Sequence, residues 1–475
     1  MTKTLREGLR RRAPRLYKVL RDVAVRVLIE YKVLRQLRPG MLLRAVTGRH
    51  TAWQAVLPLQ RAPRLALPAG AAASPDLAGW LRTQGVATRD GAHAVYLTPE
   101  AWRQGPLAAL AARYPADAGL KVMRNPGGLD APYLHGEGHS ALQHATLHGH
   151  RHLSLVANLL QRLGLGPRLY DLVELTAGDL AWAAYVVADV PGGPVSAAEC
   201  EAGLGKLRAV TSEGTLALVA PGGFDHLDFT PPGCNGNALA DAAGRFQYVD
   251  FQNFTLGRYD AELRKIAEEA AAASHFGDRS ILRGGAYLYQ SVPGLDLPAK
   301  RDVARRIPSL SGLLAAAGGT VADRVVLDIG CNVGMMLGQY LALGARWCHG
   351  WDRAHVVPHT DRLLSALGCT RYSLTGGDLD PGRDLADDLP PHLRAGLSGC
   401  LVSYLAVRGH IGWLPALARL PWGFLIYEGH EGEDEAATRR FIAEFQASVP
   451  CELTGLAQYR DGDSDPRMIG LLRRT

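Results

Sequence analysis

Residues Arg324–Met336, RVVLDIGCNVGMM, constrain the fold more than any other stretch of the chain. Val325-Val326-Leu327 is an uninterrupted apolar run, the pattern of a strand buried on both faces of a parallel sheet. Asp328 closes it, and Gly330-Cys331-Asn332-Val333-Gly334 turns tightly into a helix predicted to open at Met335. Gly330 and Gly334 allow the backbone to approach a ligand closely, and Gly330 is free to take a positive φ. A glycine-rich turn is common to many βα units, so its meaning comes from the elements C-terminal to it.

Those elements alternate regularly. A helix over Met335–Leu343 stops at Gly344-Ala345, and a strand over Trp347–Trp351 is closed by Asp352. A helix over His359–Leu367 and a strand with an acidic turn over Ser373–Asp378 come next. Strands at Cys400–Leu405 and Phe424–Tyr427, a helix at Glu435–Ala447 and a hairpin of Glu452–Arg460 with Arg467–Arg473 complete the run. Asp352 stands 18 residues after Gly334, near the spacing of about 20 at which an acid accepts hydrogen bonds from ribose hydroxyls.

This pattern resembles the class I S-adenosylmethionine-dependent methyltransferases, whose D-x-G-x-x-x-G loop cradles the methionine half of the cofactor. The resemblance implies an α/β, doubly wound, Rossmann-like sheet over residues 293–475, with the ligand at the carboxyl ends of the strands. It implies that Asp328, Gly330, Cys331, Asn332 and Gly334 hold the methionine portion, Asp352 the ribose, and Asp378 with Leu379 the adenine. Methyl transfer is an in-line displacement at a sulfonium, so proximity and orientation are most of the catalysis. A hydroxyl acceptor also needs a base, for which His410, His430 and the strand-ending Glu428 are candidates. A phosphate acceptor arrives ionised and needs only a cationic clamp.

The middle of the chain, residues 76–292, reads as a separate α+β unit. A short helix at Asp76–Gln84 precedes two strands around Asp90-Gly91, and Ala118–Asn125 is a strand carrying Lys121. A helix over Leu153–Leu165 leads into a hairpin of Arg168–Leu175 with Leu180–Ala188. Then come His226-Leu227-Asp228, Asn237-Ala-Leu-Ala-Asp241 and Phe246-Gln-Tyr-Val-Asp250-Phe251, and a helix at Ala261–Ser274. The succession resembles protein kinases and aminoglycoside phosphotransferases. It implies that Lys121 pairs with nucleotide phosphates, that Asp228 is the catalytic base, and that Asn237 and Asp250 hold Mg²⁺ for Mg-ATP. Asp228 lies nine residues before Asn237, where the family has about five. Either Pro231-Pro232-Gly233-Cys234 is an insertion, or Asn235 is the metal ligand. D-F-G has become Asp250-Phe251-Gln252, and no Gly-rich loop precedes Lys121.

Six histidines, His135, His139, His144, His148, His150 and His152, fall in this unit. Two i,i+4 pairs among them can chelate a metal on one helical face; otherwise they are surface or phosphate-facing groups.

Charge is unevenly placed. The formal net charge is +6, yet residues 1–50 hold fourteen Lys and Arg against Glu7, Asp22 and Glu30, a local +11. Leu16, Leu20, Val23, Val27, Leu34 and Leu37 fall near helical spacing among those cations, giving residues 1–75 the reading of a basic amphipathic arm plus an Ala/Pro-rich linker at 62–76. Such a helix suits an anionic membrane surface or a partner. No base-reading or stacking pattern points to nucleic acid. Seven scattered cysteines without a C-x-x-C pair, and no run long and apolar enough for a span or a signal, point to a cytoplasmic protein.

A kinase-like unit joined to a methyltransferase resembles the bifunctional kinase–methyltransferases that terminate bacterial O-antigen polysaccharides, with the domain order reversed. The expected substrate is accordingly a saccharide or sugar phosphate. Another small molecule or a lipid is the alternative, with the middle unit reduced to a binding module, and a membrane-associated scaffold with degenerate sites is the non-enzyme reading.

Overall fold

The computed structural model describes residues 60–475 apart from 69, 72–75, 92–93, 125–126, 130–148, 219–222, 226, 232–233, 258, 275–287, 294, 296–298, 431 and 461–465. The basic arm and His135, His139, His144 and His148 lie outside the described residues.

The middle unit is built on a six-stranded sheet: β1 (Arg64–Ala66), β2 (Arg89–Asp90), β3 (Ala94–Leu97), β4 (Ala118–Met123), β5 (Leu169–Ala177) and β6 (Leu180–Ala188), in the order β1-β5-β6-β4-β3-β2. Only β1 runs parallel to its neighbour, pairing Arg64 with Glu174. The stretch expected to be linker therefore starts the sheet, because Leu65 and Leu67 give it an apolar side to bury. Helix α1 (Leu77–Thr83) is followed by two short helices, α2 (Pro99–Trp102) and α3 (Ala108–Ala111), which the sequence pattern does not announce. Thr98 caps α2, and Trp102 plugs the sheet by donating its Nε1–H to Ala118 O at 2.6 Å.

Helix α4 (Gly149–Arg162) precedes the β5–β6 hairpin. After β7 (Gly193–Pro194), Ser196 caps α5 (Ala197–Glu213), whose end at Gly214 is a left-handed turn with φ 81°. Strand β8 (Leu216–Leu218) pairs with β11 (Phe254–Leu256), and β9 (Ala238–Ala240) with β10 (Phe246–Tyr248) forms the hairpin leading to Asp250. Helix α6 (Tyr259–Ser274) ends the unit. Between the two units, β12 (Leu288–Gln290) and β13 (Ala299–Arg301) form a parallel pair.

The C-terminal unit matches its expectation closely. Asp302 caps α7 (Val303–Ala316), accepting from Ala304 N at 3.1 Å. The sheet comprises β14 (Val325–Ile329), β15 (Trp347–Asp352), β16 (Tyr372–Gly376), β17 (Cys400–Leu405), β18 (Trp422–Glu428), β19 (Cys451–Tyr459) and β20 (Arg467–Arg474). Its order is β16-β15-β14-β17-β18-β20-β19, parallel except where β20 runs antiparallel to β18 and β19. All of β14 is buried, as its apolar run requires. The chain winds outward from β14 through β15 and β16, then returns to β17 on the other side. The switch point thus lies between β14 and β17, where a crevice for ligand opens in doubly wound sheets. Helices α8 (Met335–Ala342), α9 (Val357–Ala366) and α10 (Glu435–Gln446) cover it.

The two units share packing. Asn158 of α4 donates to Ser365 O at 3.1 Å and Cys369 O at 3.3 Å, Tyr259 of α6 donates to Ala366 O at 2.8 Å, and Arg362 pairs with Glu269 at 2.6 Å. Asp171 and Arg371 form a buried ion pair at 3.3 Å across the same boundary. Among the described residues no helix is long and apolar enough to cross a membrane.

Candidate active site

The glycine loop is assembled by contacts that explain each of its residues. Gly330 and Cys331 donate backbone N–H bonds to Trp351 O at 2.9 and 3.0 Å, tying the end of β14 to the end of β15. Gly330 (φ 76°) and Gly334 (φ 79°) occupy the left-handed region. A Cβ at Gly334 would stand 2.8 Å from Thr360 Cγ2 and 2.9 Å from Leu364 Cδ1. That close approach of α9, added to the left-handed backbone, makes any side chain at this position strained. Asn332 also has a positive φ, 51°. Its conformation is held from three sides: its N–H donates to Asp352 Oδ2 at 2.7 Å, its side-chain oxygen accepts from Val333 N at 2.8 Å, and its carbonyl accepts from Thr360 Oγ1 at 2.7 Å.

Asp352 therefore stands at the end of the second strand, joined to the loop, with its Oδ1 accepting from Arg353 N at 2.8 Å. Asp378 is exposed and Leu379 half-buried beyond β16. Their turn is pinned by Arg383, which donates to Asp378 O at 2.7 Å and pairs with Asp388 at 2.7 Å.

Beneath the loop, Asp328 is only 3% exposed. Burial pushes its carboxyl up to about 7, partly offset by a hydrogen bond from Ser403 and the charge of Arg306. Tyr340 OH donates to Ser403 Oγ at 3.0 Å and orients it. Asp328 forms no ion pair among the described residues. A buried carboxylate without a partner cation suits the ammonium of an amino-acid moiety, so the donor set fits the cofactor that the sequence implies.

Glu428 has a different setting. It is fully buried at the end of β18; Oε1 accepts from Arg467 Nη1 at 3.0 Å and Arg306 Nη2 at 3.2 Å, and Oε2 accepts from Tyr459 OH at 2.8 Å. Both oxygens are engaged by α7, β19 and β20. The candidate base is thus a clamp that draws these elements to the carboxyl edge of the sheet.

His410 and His430 come together, ring centroids 5.1 Å apart in an edge-on arrangement, on the loops after β17 and β18. Gly409 N–H donates to His430 Nε2 at 3.0 Å. Burial, reinforced by the charge of His410, holds His430 below the usual histidine range. A neutral ring accepting at Nε2 carries its proton on Nδ1 and has no second lone pair. His430 thus orients the turn bearing His410, which is exposed. The turn starts at Ala406, a non-glycine residue with φ 54°, backbone strain of the kind that gathers at functional loops.

A second polar cluster lies in the middle unit. Lys121 Nζ is 3.5 Å from Asp250 Oδ1, donates to Val249 O at 3.3 Å, and sits 5.1 Å from the centroid of Phe251. Asn253 Nδ2 reaches Asp228 Oδ2 at 3.1 Å, Asp250 Oδ2 at 3.3 Å and Tyr248 OH at 2.8 Å. Asn235 Nδ2 donates to Asp228 Oδ1 at 3.3 Å from a left-handed backbone, φ 55°. Of the two asparagines left open by the spacing, Asn235 meets Asp228 through its side chain, whereas Asn237 ties the segment together through its backbone, accepting from Val249 N at 2.9 Å.

His150 and His152 are buried rather than surface groups. Burial lowers His150 to about 4, its Nδ1 bonds Tyr185 OH, and Tyr185 packs edge-on against Phe251 at 5.0 Å. No group of three or more metal-ligating side chains forms among the described residues. Sequence reasoning missed Asn253, Ser403, Thr360, Arg306 and Gln290. Asn253 stands two residues past Asp250-Phe251, but the others carry no local pattern.

No family model matches the chain, and no curated protein does. Solved structures that it resembles include the magnesium protoporphyrin IX methyltransferase of Synechocystis PCC 6803 with bound SAM, at 18% identity over 36% of this chain and 78% of that one, TM-score 0.27. Another is the precorrin-6y C5,15-methyltransferase of Geobacter metallireducens GS-15, at 12% identity over 37% and 91%, TM-score 0.28. The ribosomal protein L11 methylase of Lactobacillus delbrueckii subsp. bulgaricus matches at 16% identity over 35% and 78%, TM-score 0.25. Function has to be read from the site and the strand order, not from these likenesses.

Proposed function

We propose that the chain is an S-adenosylmethionine-dependent O-methyltransferase whose acceptor is a saccharide or sugar phosphate. The observation that carries it is the cradle at the switch point: a buried Asp328 without an ion-pair partner, a glycine loop closed by Asn332 and Thr360, and Asp352 bonded to that loop. The cofactor, when bound, supplies an electrophilic methyl on sulfur. Asp328 receives its ammonium, Asp352 its ribose, and the Asp378–Leu379 turn its adenine. His410 is the base for a hydroxyl acceptor, with His430 holding its turn.

His410→Ala separates the two acceptor classes. Turnover of a hydroxyl acceptor is expected to fall about 100- to 10,000-fold. Turnover of a phosphate acceptor, which needs no base, is expected to hold. Mass spectrometry of a glycan extract incubated with labelled cofactor, with and without ATP, reads the product. Failure of calorimetry to detect cofactor binding by the wild type rejects the whole reading.

The reading extends to the middle unit, which phosphorylates or holds the same substrate. Lys121, Asp228, Asp250, Asn235 and Asn253 converge as a Mg-ATP site would require. Mg-ATP affinity is expected to drop about tenfold or more in Asp250→Ala and Lys121→Ala; unchanged affinity in both rejects these roles. The basic arm is the proposed contact with a membrane surface.

A further inference from the structure

Helix α8 begins directly behind Gly334, which has no side chain with which to cap it. The first turn of any helix leaves backbone N–H groups without intrahelical acceptors. One of these, Met335 N–H, is taken from 45 residues upstream: Gln290 Oε1 accepts it at 3.2 Å. Gln290 ends β12, in the segment that joins the two units, and is 5% exposed.

Because Met335 N is a donor, the oxygen of the Gln290 amide must be the atom facing it, and this fixes the opposite orientation for Nε2. The Nε2 donors have no hydrogen-bond partner among the described residues. Although the side chain as a whole is buried, Nε2 is not sealed from solvent, so it is open to an acceptor that a ligand brings. Oε1 anchors the side chain at the start of α8 and leaves Nε2 as the donor still open.

We propose that Gln290 is a cofactor-binding residue: Oε1 secures the start of α8, and Nε2 donates to the α-carboxylate of the amino-acid moiety of S-adenosylmethionine. This rests on the methyltransferase reading. The charge pattern agrees with it. Asp328, on the strand side of the loop, takes the ammonium, while the carboxylate needs donors and a positive local field. The amino-terminal end of α8 supplies the field, and Gln290 supplies a donor whose own oxygen is already engaged by Met335 N. Through this residue the inter-unit segment becomes one wall of the cofactor site.

The test is calorimetric titration of the full chain and of Gln290→Glu with S-adenosylmethionine and with its decarboxylated form, which keeps the sulfonium and ammonium and lacks only the carboxylate. Glutamate still offers an oxygen to Met335 N–H, so a thermal melt matching the wild type is expected. It also replaces the donor with an acceptor. Affinity for S-adenosylmethionine is expected to fall about tenfold or more, while affinity for the decarboxylated cofactor holds or improves. Equal losses for both ligands would reduce Gln290 to a shaper of the loop, and no loss for either would remove it from the site; both overturn the proposal. A wild type that binds neither ligand overturns the methyltransferase reading itself, an outcome distinct from either.

Discussion

Glu428→Ala is expected to destabilise the C-terminal unit by about 3–5 kcal/mol, the cost of leaving buried charges uncompensated. Glu428 is the carboxylate on which two buried guanidiniums, Arg306 and Arg467, converge, with Tyr459 OH on the same group. Removing it takes from both buried cations the carboxylate that they share. Burial alone would lower the Arg306 charge affinity, and it is Glu428, then Tyr459, that restores it. Chemical denaturation monitored by tryptophan fluorescence reads the loss. Glu428→Gln keeps an acceptor oxygen and should lose less, which separates the charge from the hydrogen bonds. A Glu428→Ala protein as stable as the wild type would contradict the clamp and reopen a catalytic role for the residue.

Asp328→Asn is expected to weaken cofactor binding about 10- to 150-fold, the equivalent of a charge-assisted hydrogen bond of about 1.5–3 kcal/mol. The wild type should also bind in a pH-dependent way, with the sign set by the raised carboxyl near pH 7. Below that pH the acid is protonated, and an incoming ammonium must displace the proton. Affinity therefore falls as pH drops through 7, by up to about tenfold per pH unit, and is flat above it. The asparagine variant has no proton to lose and should bind with no such dependence. Calorimetry at pH 6 and pH 8 on both proteins is decisive: equal slopes would show that Asp328 does not face the ligand's charge.

The C-terminal architecture was legible because its signals are local. Val325-Val326-Leu327 names a doubly buried strand, Gly330 and Gly334 name a turn, and the spacing to Asp352 names a second strand end. Each is encoded within a few residues of where it acts. Elements of the middle unit were less legible for a related reason. Arg64–Ala66 is three residues of weak pattern that become a strand only when β5 lies beside them. Ala299–Arg301 likewise needs β12, and α2 and α3 were hidden in a stretch broken by Pro99 and Pro106.

By itself, the sequence determined the alternation of strands and helices in the C-terminal unit, the glycine loop with its acids, and the succession of a lysine and two aspartates in the middle of the chain. Periodicity, glycine conformations and short spacings suffice for those. Which asparagine meets Asp228, that Glu428 is a clamp and that His430 supports His410 were decided only by tertiary structure. So was the delivery of Gln290 to Met335. In each of these cases the partner lies on another element, sometimes more than a hundred residues away, as Arg306 does from Glu428. Burial then sets the chemistry: a carboxylate raised toward 7 at Asp328 and one held between two arginines at Glu428 have nearly the same side chain and opposite uses.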